Sequence, residues 1–335
     1  MYTKQRLRVK WNNVISDAFN ATNGVKQGGV LSPILFAIYM DELLIRLKNS
    51  GIGCHIGNTF IAALAYADDV TLVCPTMKSL RMLVRICEFY ADEYQVVFNG
   101  PKSKLLVFKG RDCVLPLDVY IYVNGQRVMC CKNADHLGHN MSCTDKESFV
   151  KGAISNFWRY FNIFVSEFGH LNCDVKCKLF KQYCCSFYGA SLWDLNGKGV
   201  ETLCVAWRKA LRSLCRVHPM THGNIIAALS GAEPLKIQLV KRFVKFFYKC
   251  MSHDNPIISL VVNVAKKNPM SQLGNNVKLS YLFDNMCYQW SVERECINDD
   301  VRVIRELIEV RECQKTVECL ETNDIDFIIE SLCVS

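Results

Sequence analysis

Short apolar runs broken by turn residues up to about residue 142, followed by long amphipathic segments rich in Phe, Tyr and Trp, predict an α+β fold. Half of the 335 residues are hydrophobic and 11% are aromatic, which excludes a disordered chain and leaves room for one large or two ordinary domains. There is no run of 18 apolar residues, and "MYTKQRLRVKWNN" lacks the apolar core of a signal peptide. A soluble intracellular protein, nuclear or cytoplasmic, with no membrane partner, is expected.

The elements follow in chain order. Residues 5–19 alternate around Leu7, Val9 and Trp11, then Val14, Ile15 and Phe19, with Asn12-Asn13 as the turn of a hairpin. After a glycine-rich turn, Ser32 is placed as N-cap and Pro33 at the first helical position of a helix reaching about Lys48. Apolar residues cover most of its circumference, so it is expected to be a core helix buried on more than one side. Phe60–Ala65 and Val70–Cys74 read as two strands joined by a bend at Tyr66-Ala67-Asp68-Asp69. Thr76 opens an amphipathic helix carrying Leu80, Leu83, Val84, Cys87, Tyr90, Ala91 and Tyr94. Strands are expected at 95–98, 104–108, 118–123 and around 136–142. From Lys146 onward the pattern is helical, with breaks near Gly169, Gly197, Pro219, Gly231 and Pro256.

Charge is unevenly spread within a net +8. Residues 201–250 hold nine Lys/Arg against two Asp/Glu, whereas residues 301–335 hold four against eight. The basic stretch suits a polyanion such as nucleic acid, and a solvated helix face explains it equally. The 19 cysteines sit in apolar runs without a CxxC pair, which points to free thiols in a reducing compartment. His170, Cys173, Cys177 and Cys184 come nearest to a zinc pattern but lack the paired spacing of a finger or knuckle.

Asp68 and Asp69 pose the sharpest question, since they interrupt an apolar run. Aspartate is a good turn residue, and that alone accounts for it. Adjacent carboxylates on a stiff hairpin also suit Mg²⁺, a hard cation bound through one or two carboxylates plus substrate phosphates. Such a site needs a further carboxylate from a neighbouring strand.

"GVKQGGVLSPILF", "AYADDVTLV", "FNGPKSKLLVFKG" and "HLGHNMS", in that order and spacing, resemble the later palm motifs of reverse transcriptases. The match is best to the polymerases of non-LTR (LINE-type) retrotransposons, with group II intron proteins more distant. "AWRKALRSLCRVHPMTHGNII", "LSGAEPL" and "KRFVKFFYKC" resemble the helical thumb of those elements, so the likeness extends over about residues 1–250. It implies a partial right-hand polymerase palm, an antiparallel sheet with packed helices, over 1–142. A helical thumb-like region over 143–250 and a helical extension of unknown role over 251–335 would follow.

The resemblance also implies an RNA-directed DNA polymerase that joins dNTPs to a DNA primer on an RNA template by two-Mg²⁺ nucleotidyl transfer. By the same likeness Asp68 is the principal Mg²⁺ ligand, Asp69 an auxiliary acid, and Tyr66 a neighbour of the primer end. Gln27, Gly28 and Gly29 match the turn that approaches nucleotide and template, where glycine permits close backbone contact. Lys102 matches the lysine that donates a proton to departing pyrophosphate, and a surface lysine after a proline turn reads the same way. Leu137 and Gly138 match the primer grip. Lys209, Arg212, Arg216, Lys241, Arg242, Lys245 and Lys249 are candidates for contacting the nucleic-acid backbone, whereas Trp207, Phe243, Phe246 and Phe247 have the spacing of a core face.

The family carries another catalytic aspartate on a strand upstream of the glycine turn. Asp17 lies after that position, and Asp41 and Glu42 fall on the predicted helix, so none replaces it. The expectation is a palm-and-thumb fragment lacking fingers and that aspartate, inactive alone. The alternative is a non-catalytic nucleic-acid-binding remnant or co-opted module. A palm without its upstream strand would also expose a sheet edge and an apolar helix surface.

Overall fold

The computed structural model describes the backbone of residues 5–21, 24–108, 118–145 and 147–322, with side chains followed to residue 310. The chain forms two compact units, Met1–Ala134 and Asp135–Ser335. The first mixes helices with small sheets and the second is almost wholly helical, as the α+β reading requires.

In the first unit, β1 (Gln5–Leu7) pairs antiparallel with β4 (Phe19–Ala21), and β2 (Lys10–Trp11) with β3 (Val14–Ile15). The predicted hairpin is present, turning at Asn12, whose φ is 53°. Trp11 and Val14 on it are strongly exposed.

Helix α1 (Ser32–Asn49) departs from expectation at both its start and its packing. Leu31 is the N-cap and Ser32 is already helical; the Ser32 hydroxyl donates to the Lys26 carbonyl and so pins the glycine turn rather than capping the helix. Met40, Leu43 and Leu47 are buried, but Ile34, Ile38 and Ile45 face solvent. The helix is buried along one stripe only, because β5 (His55–Ile56), β6 (Thr59–Phe60), β7 (Ala63–Tyr66), β8 (Asp69–Leu72) and helix α2 (Met77–Tyr94) supply a single apolar surface for it to meet.

Helix α2 is the element on which the unit's two apolar clusters meet. Thr76 caps it as predicted, its hydroxyl accepting from Ser79 N at 3.1 Å. Leu83, Cys87 and Tyr90 pack with Met40, Leu43, Leu47 and Ala62. Val84, one residue round from Leu83, joins a second cluster with Leu105, Ile121, Val123 and Val128. Those residues belong to β9 (Leu105–Leu106), β10 (Tyr120–Val123) and β11 (Gln126–Cys131), ordered β10-β11-β9 with β9 running parallel to β11. Residues 95–98 form no strand, since Gln95 is the left-handed C-cap of α2 (φ 53°) and turns the chain out of regular pairing. Strand β11 has no counterpart in the expectation; the Asn124-Gly125 turn, with φ of 49° and 70°, is the hairpin signal that announces it.

Polar contacts lock α1 to α2. Arg46 is bound by Glu93 at 2.7 Å and by Glu42 at 3.0 Å, and its guanidinium lies over the Tyr90 and Tyr94 rings. The Tyr39 hydroxyl donates to the Tyr94 carbonyl, and the buried Tyr90 hydroxyl to the Tyr39 carbonyl. Burial pushes the Tyr90 hydroxyl up to about 12.

The second unit opens with the β12 (Asn133–His136) and β13 (His139–Ser142) hairpin, whose first two residues fall before the unit boundary. Helices α3 (Ser148–Phe168), α4 (Cys173–Cys184), α5 (Lys198–Cys215), α6 (Gly223–Leu229), α7 (Leu235–Met251), α8 (Pro256–Lys267), α9 (Gln272–Tyr281), α10 (Phe283–Cys296) and α11 (Asn298–Thr322) follow. One core runs through them from Phe157, Phe161 and Phe164 on α3, through Phe180 on α4 and Trp207 on α5, to Phe243 on α7 and Trp290 on α10. The buried Asn276 joins α9 to the loop before α5, accepting from Leu195 N at 3.1 Å and donating to the Trp193 carbonyl at 2.7 Å. The acidic stretch beyond residue 322 lies outside the described residues.

Gly53 tests how the first unit is held together. Its φ is +111°, and a Cβ there would meet the Ala62 Cβ at 2.2 Å. Gly53→Ala is expected to destabilise the chain by about 2 kcal/mol or more, from backbone strain plus overpacking. A thermal melt unchanged from wild type would contradict this packing.

Candidate catalytic hairpin and nucleic-acid interface

The two acids sit on a tighter bend than the sequence suggested. β7 and β8 pair in the register Ala63↔Leu72, Leu64↔Thr71, Ala65↔Val70 and Tyr66↔Asp69. Only Ala67 and Asp68 lie in the turn, while Asp69 is the first strand residue, and Phe60 belongs to β6. Ala67 adopts a φ of 51°, the left-handed value that closes a two-residue bend. Asp68, Asp69 and Tyr66 are all exposed, so neither carboxylate bears the cost of burial.

From behind, the hairpin is seated on the core. Ala63, Val70 and Leu72 pack against the cluster built by α1 and α2. The Val73 N–H donates to the Ala62 carbonyl at 2.8 Å and the Cys54 N–H to the Val73 carbonyl at 3.1 Å, tying β7 and β8 to the β5–β6 hairpin.

Gln27, Gly28 and Gly29 form a turn just before α1, with Gln27 and Gly28 exposed and Gly29 half-buried. The Gly29 N–H donates to the Lys26 carbonyl and the Ser32 N–H to the Gly29 carbonyl, both at 3.1 Å. Gly28 has a φ of 78°, which a side chain would oppose even though nothing lies within 4 Å of its missing Cβ. Lys102 is exposed on a turn organised by Asn99, whose side-chain oxygen accepts from Lys102 N at 3.1 Å. No hydrogen bond among the described residues joins the Gln27 turn, the aspartates and Lys102.

Leu137 and Gly138 are the two turn residues of the β12–β13 hairpin, with φ of 49° and 75°. Tyr188 holds this tip, its hydroxyl donating to the Leu137 carbonyl at 3.2 Å and its ring stacking on His139 at 4.9 Å. The hairpin therefore rests on the helical unit, through the loop that follows α4.

The seven basic candidates divide by what their side chains already do. Arg212 donates twice to the Thr221 carbonyl, at 2.9 and 2.7 Å, and closes the turn after α5. Arg242 donates to the Ser186 and Cys185 carbonyls at 2.6 and 2.9 Å and lies over Phe187. Lys241 is paired with Glu233 at 3.3 Å. Lys209, Arg216, Lys245 and Lys249 are exposed. Lys241, Arg242 and Lys245 line one open groove together with Lys181, a residue the sequence reading passed over because it sits in the cysteine-rich α4. Trp207, Phe243 and Phe247 are buried in the core.

Residues 1–141 match the family described as reverse transcriptase (RNA-dependent DNA polymerase). The chain is 33% identical over 137 residues to the retrovirus-related Pol polyprotein from the type-2 retrotransposable element R2DM of Drosophila melanogaster, covering 39% of this chain and 13% of that protein. It is 22% identical over 239 residues to the Pol polyprotein of a type-1 R2 element of Nasonia vitripennis, covering 70% of this chain and 20% of that one. A 51-residue stretch is 53% identical to an R2 polyprotein of Popillia japonica, 15% of this chain and 7% of that protein. Residues 1–141 are a reverse transcriptase segment of the non-LTR retrotransposon kind.

The chain spans about a fifth or less of the length of these relatives. The family is one of metal-dependent polymerases acting on nucleic acid and deoxynucleotides. In this reverse transcriptase segment the exposed aspartate pair offers hard oxygen donors of the kind a magnesium ion takes. A third acid is another matter. Among the described residues, no group of three metal-ligating side chains includes Asp68 or Asp69. Asp17 and Asp41 are exposed, and Glu42 is engaged by Arg46. No helix among the described residues is long and apolar enough to cross a membrane.

Gly189 carries a test of the Leu137-Gly138 tip. Its φ is +74°, and a Cβ there would fall 2.0 Å from His139 Cε1. Gly189→Ala is expected to displace the His139 ring, break its stacking on Tyr188 and speed amide exchange at residues 136–140. Unchanged exchange at those amides would show that the tip is held by other contacts.

Proposed function

We propose that the chain forms the palm and thumb of an RNA-directed DNA polymerase, which takes an RNA template, a DNA primer and dNTPs. One observation carries the reading: adjacent, exposed carboxylates at the tip of a two-residue hairpin seated on a packed core. In the parent enzyme Asp68 and Asp69 hold Mg²⁺, with Asp68 as principal ligand. When bound, the metal pair supplies activation of the primer 3′-hydroxyl and charge stabilisation of the leaving pyrophosphate. Tyr66, paired with Asp69 across the turn, flanks the primer end. The Gln27-Gly28-Gly29 turn brings backbone close to the nucleotide, and Lys102 donates a proton to pyrophosphate. Leu137 and Gly138 grip the primer, and Lys209, Arg216, Lys245 and Lys249 contact the backbone phosphates.

The carboxylate pair lacks a third acid among the described residues, which favours binding without turnover for this chain by itself. That is the non-catalytic, nucleic-acid-binding reading. Purified protein with template–primer, dNTPs and Mg²⁺ is expected to bind but not extend the primer. Robust extension that Asp68→Ala abolishes would contradict the second half of this statement and support the first.

Affinity for a template–primer duplex is expected to fall steeply with salt, because each phosphate contact releases counterions. Lys245→Ala and Lys249→Ala are each expected to lower the slope of log affinity against log salt by about 1. Arg242→Ala is expected to lower thermal stability instead, since its guanidinium serves internal carbonyls. A salt-independent titration would remove the phosphate-contact proposal.

A further inference from the structure

The first two turns of α4 and the last residue of α5 bring three sulfurs together. Cys173 and Cys177 lie one helical turn apart on the same face of α4. Cys215 closes α5, and Arg216 follows in the left-handed conformation that ends the helix. All three Sγ atoms lie within 4.8 Å of one another, and those of Cys177 and Cys215 are 3.7 Å apart. Neither His170 nor Cys184 of the sequence pattern belongs to the group, and Cys215 lies 38 residues beyond Cys177, too far for spacing to reveal.

We propose that Cys173, Cys177 and Cys215 bind one Zn²⁺ ion, with solvent as the fourth ligand, stapling α4 to α5. A tetrahedral zinc with bonds of about 2.3 Å sets its sulfurs roughly 3.8 Å apart, matching the Cys177–Cys215 separation, whereas a disulfide needs about 2.05 Å. Cys177 and Cys215 are 2% exposed and Cys173 is partly exposed, so the fourth position is reached from the Cys173 side.

Charge supports the same assignment. Lys176 is 3% exposed, donates to the Leu214 carbonyl at 3.3 Å and places a buried positive charge beside the sulfurs. Three thiolates and Zn²⁺ leave one negative charge for Lys176 to balance.

The test is zinc content of the full-length chain, purified with zinc and dialysed, measured by inductively coupled plasma mass spectrometry. One zinc per chain is expected, retained in Cys184→Ser and lost in Cys177→Ser and Cys215→Ser. Cobalt in place of zinc is expected to give a thiolate-to-metal charge-transfer band and tetrahedral visible bands. Should a variant misfold, wild type decides: the three cysteines are expected to resist maleimide until a chelator is added. Absence of zinc from wild type, unchanged zinc in Cys215→Ser, or a Cys177–Cys215 disulfide in non-reducing peptide mapping would each overturn the proposal.

Discussion

Two like charges cannot share a rigid bend unless water screens them and the backbone leaves them no escape. Between point charges about 4 Å apart the repulsion is roughly 1 kcal/mol in water and several-fold larger at lower effective dielectric. The Asp68-Asp69 pair meets the first condition by standing clear of the surface, and the second by strand pairing that starts at Tyr66↔Asp69. Everything behind the bend serves this placement. Gly53 lets the β5–β6 hairpin press against Ala62, and α1 and α2 fill the space beneath. The Arg46, Tyr39, Tyr90 and Tyr94 contacts tie the two helices together, so polar contacts between α1 and α2 help support the exposed acidic tip.

Local signals in the sequence were read most accurately. The Thr76 cap, the apolar spacing of α2, the Asn12 hairpin and the helical second half all appear where residue chemistry places them. The bend at Asp68 and Asp69 was legible because carboxylates interrupt an apolar run, and the ordered neighbouring motifs gave it meaning. What failed depended on tertiary context. The circumference of α1 is apolar, yet only the Met40, Leu43 and Leu47 stripe finds a partner. A run of Val and Phe at 96–98 invites a strand, but the left-handed Gln95 redirects it. Charge counting gathered seven basic residues and could not see that Arg212 and Arg242 spend their donors on carbonyls. The closeness of Cys215 to Cys173 and Cys177 was hidden for the same reason, since Cys215 comes from another helix.

The helical unit repeatedly uses long or amide side chains to finish loops that helices leave open. Arg212 closes the α5 turn, Arg242 binds the carbonyls after α4, Lys181 donates to the Gly231 carbonyl, and Asn276 completes the loop before α5. Asn276 thereby satisfies backbone groups of the buried Trp193 and Leu195 that would otherwise be stranded in the aromatic core. A basic composition in this unit is thus partly architectural.

The outward stripe of α1 has its own consequence. Ile34, Ile38 and Ile45 recur at helical spacing, flanked by the exposed Val30 and Leu31, and Asp41 lies on the same side. Water organised over such a row gains by being released, so the row favours contact with other apolar surface. Asp41 places a fixed negative charge in the row and opposes that contact, as gatekeeper residues do beside apolar segments. The balance between these five apolar side chains and one carboxylate bears on how readily the chain stays monodisperse.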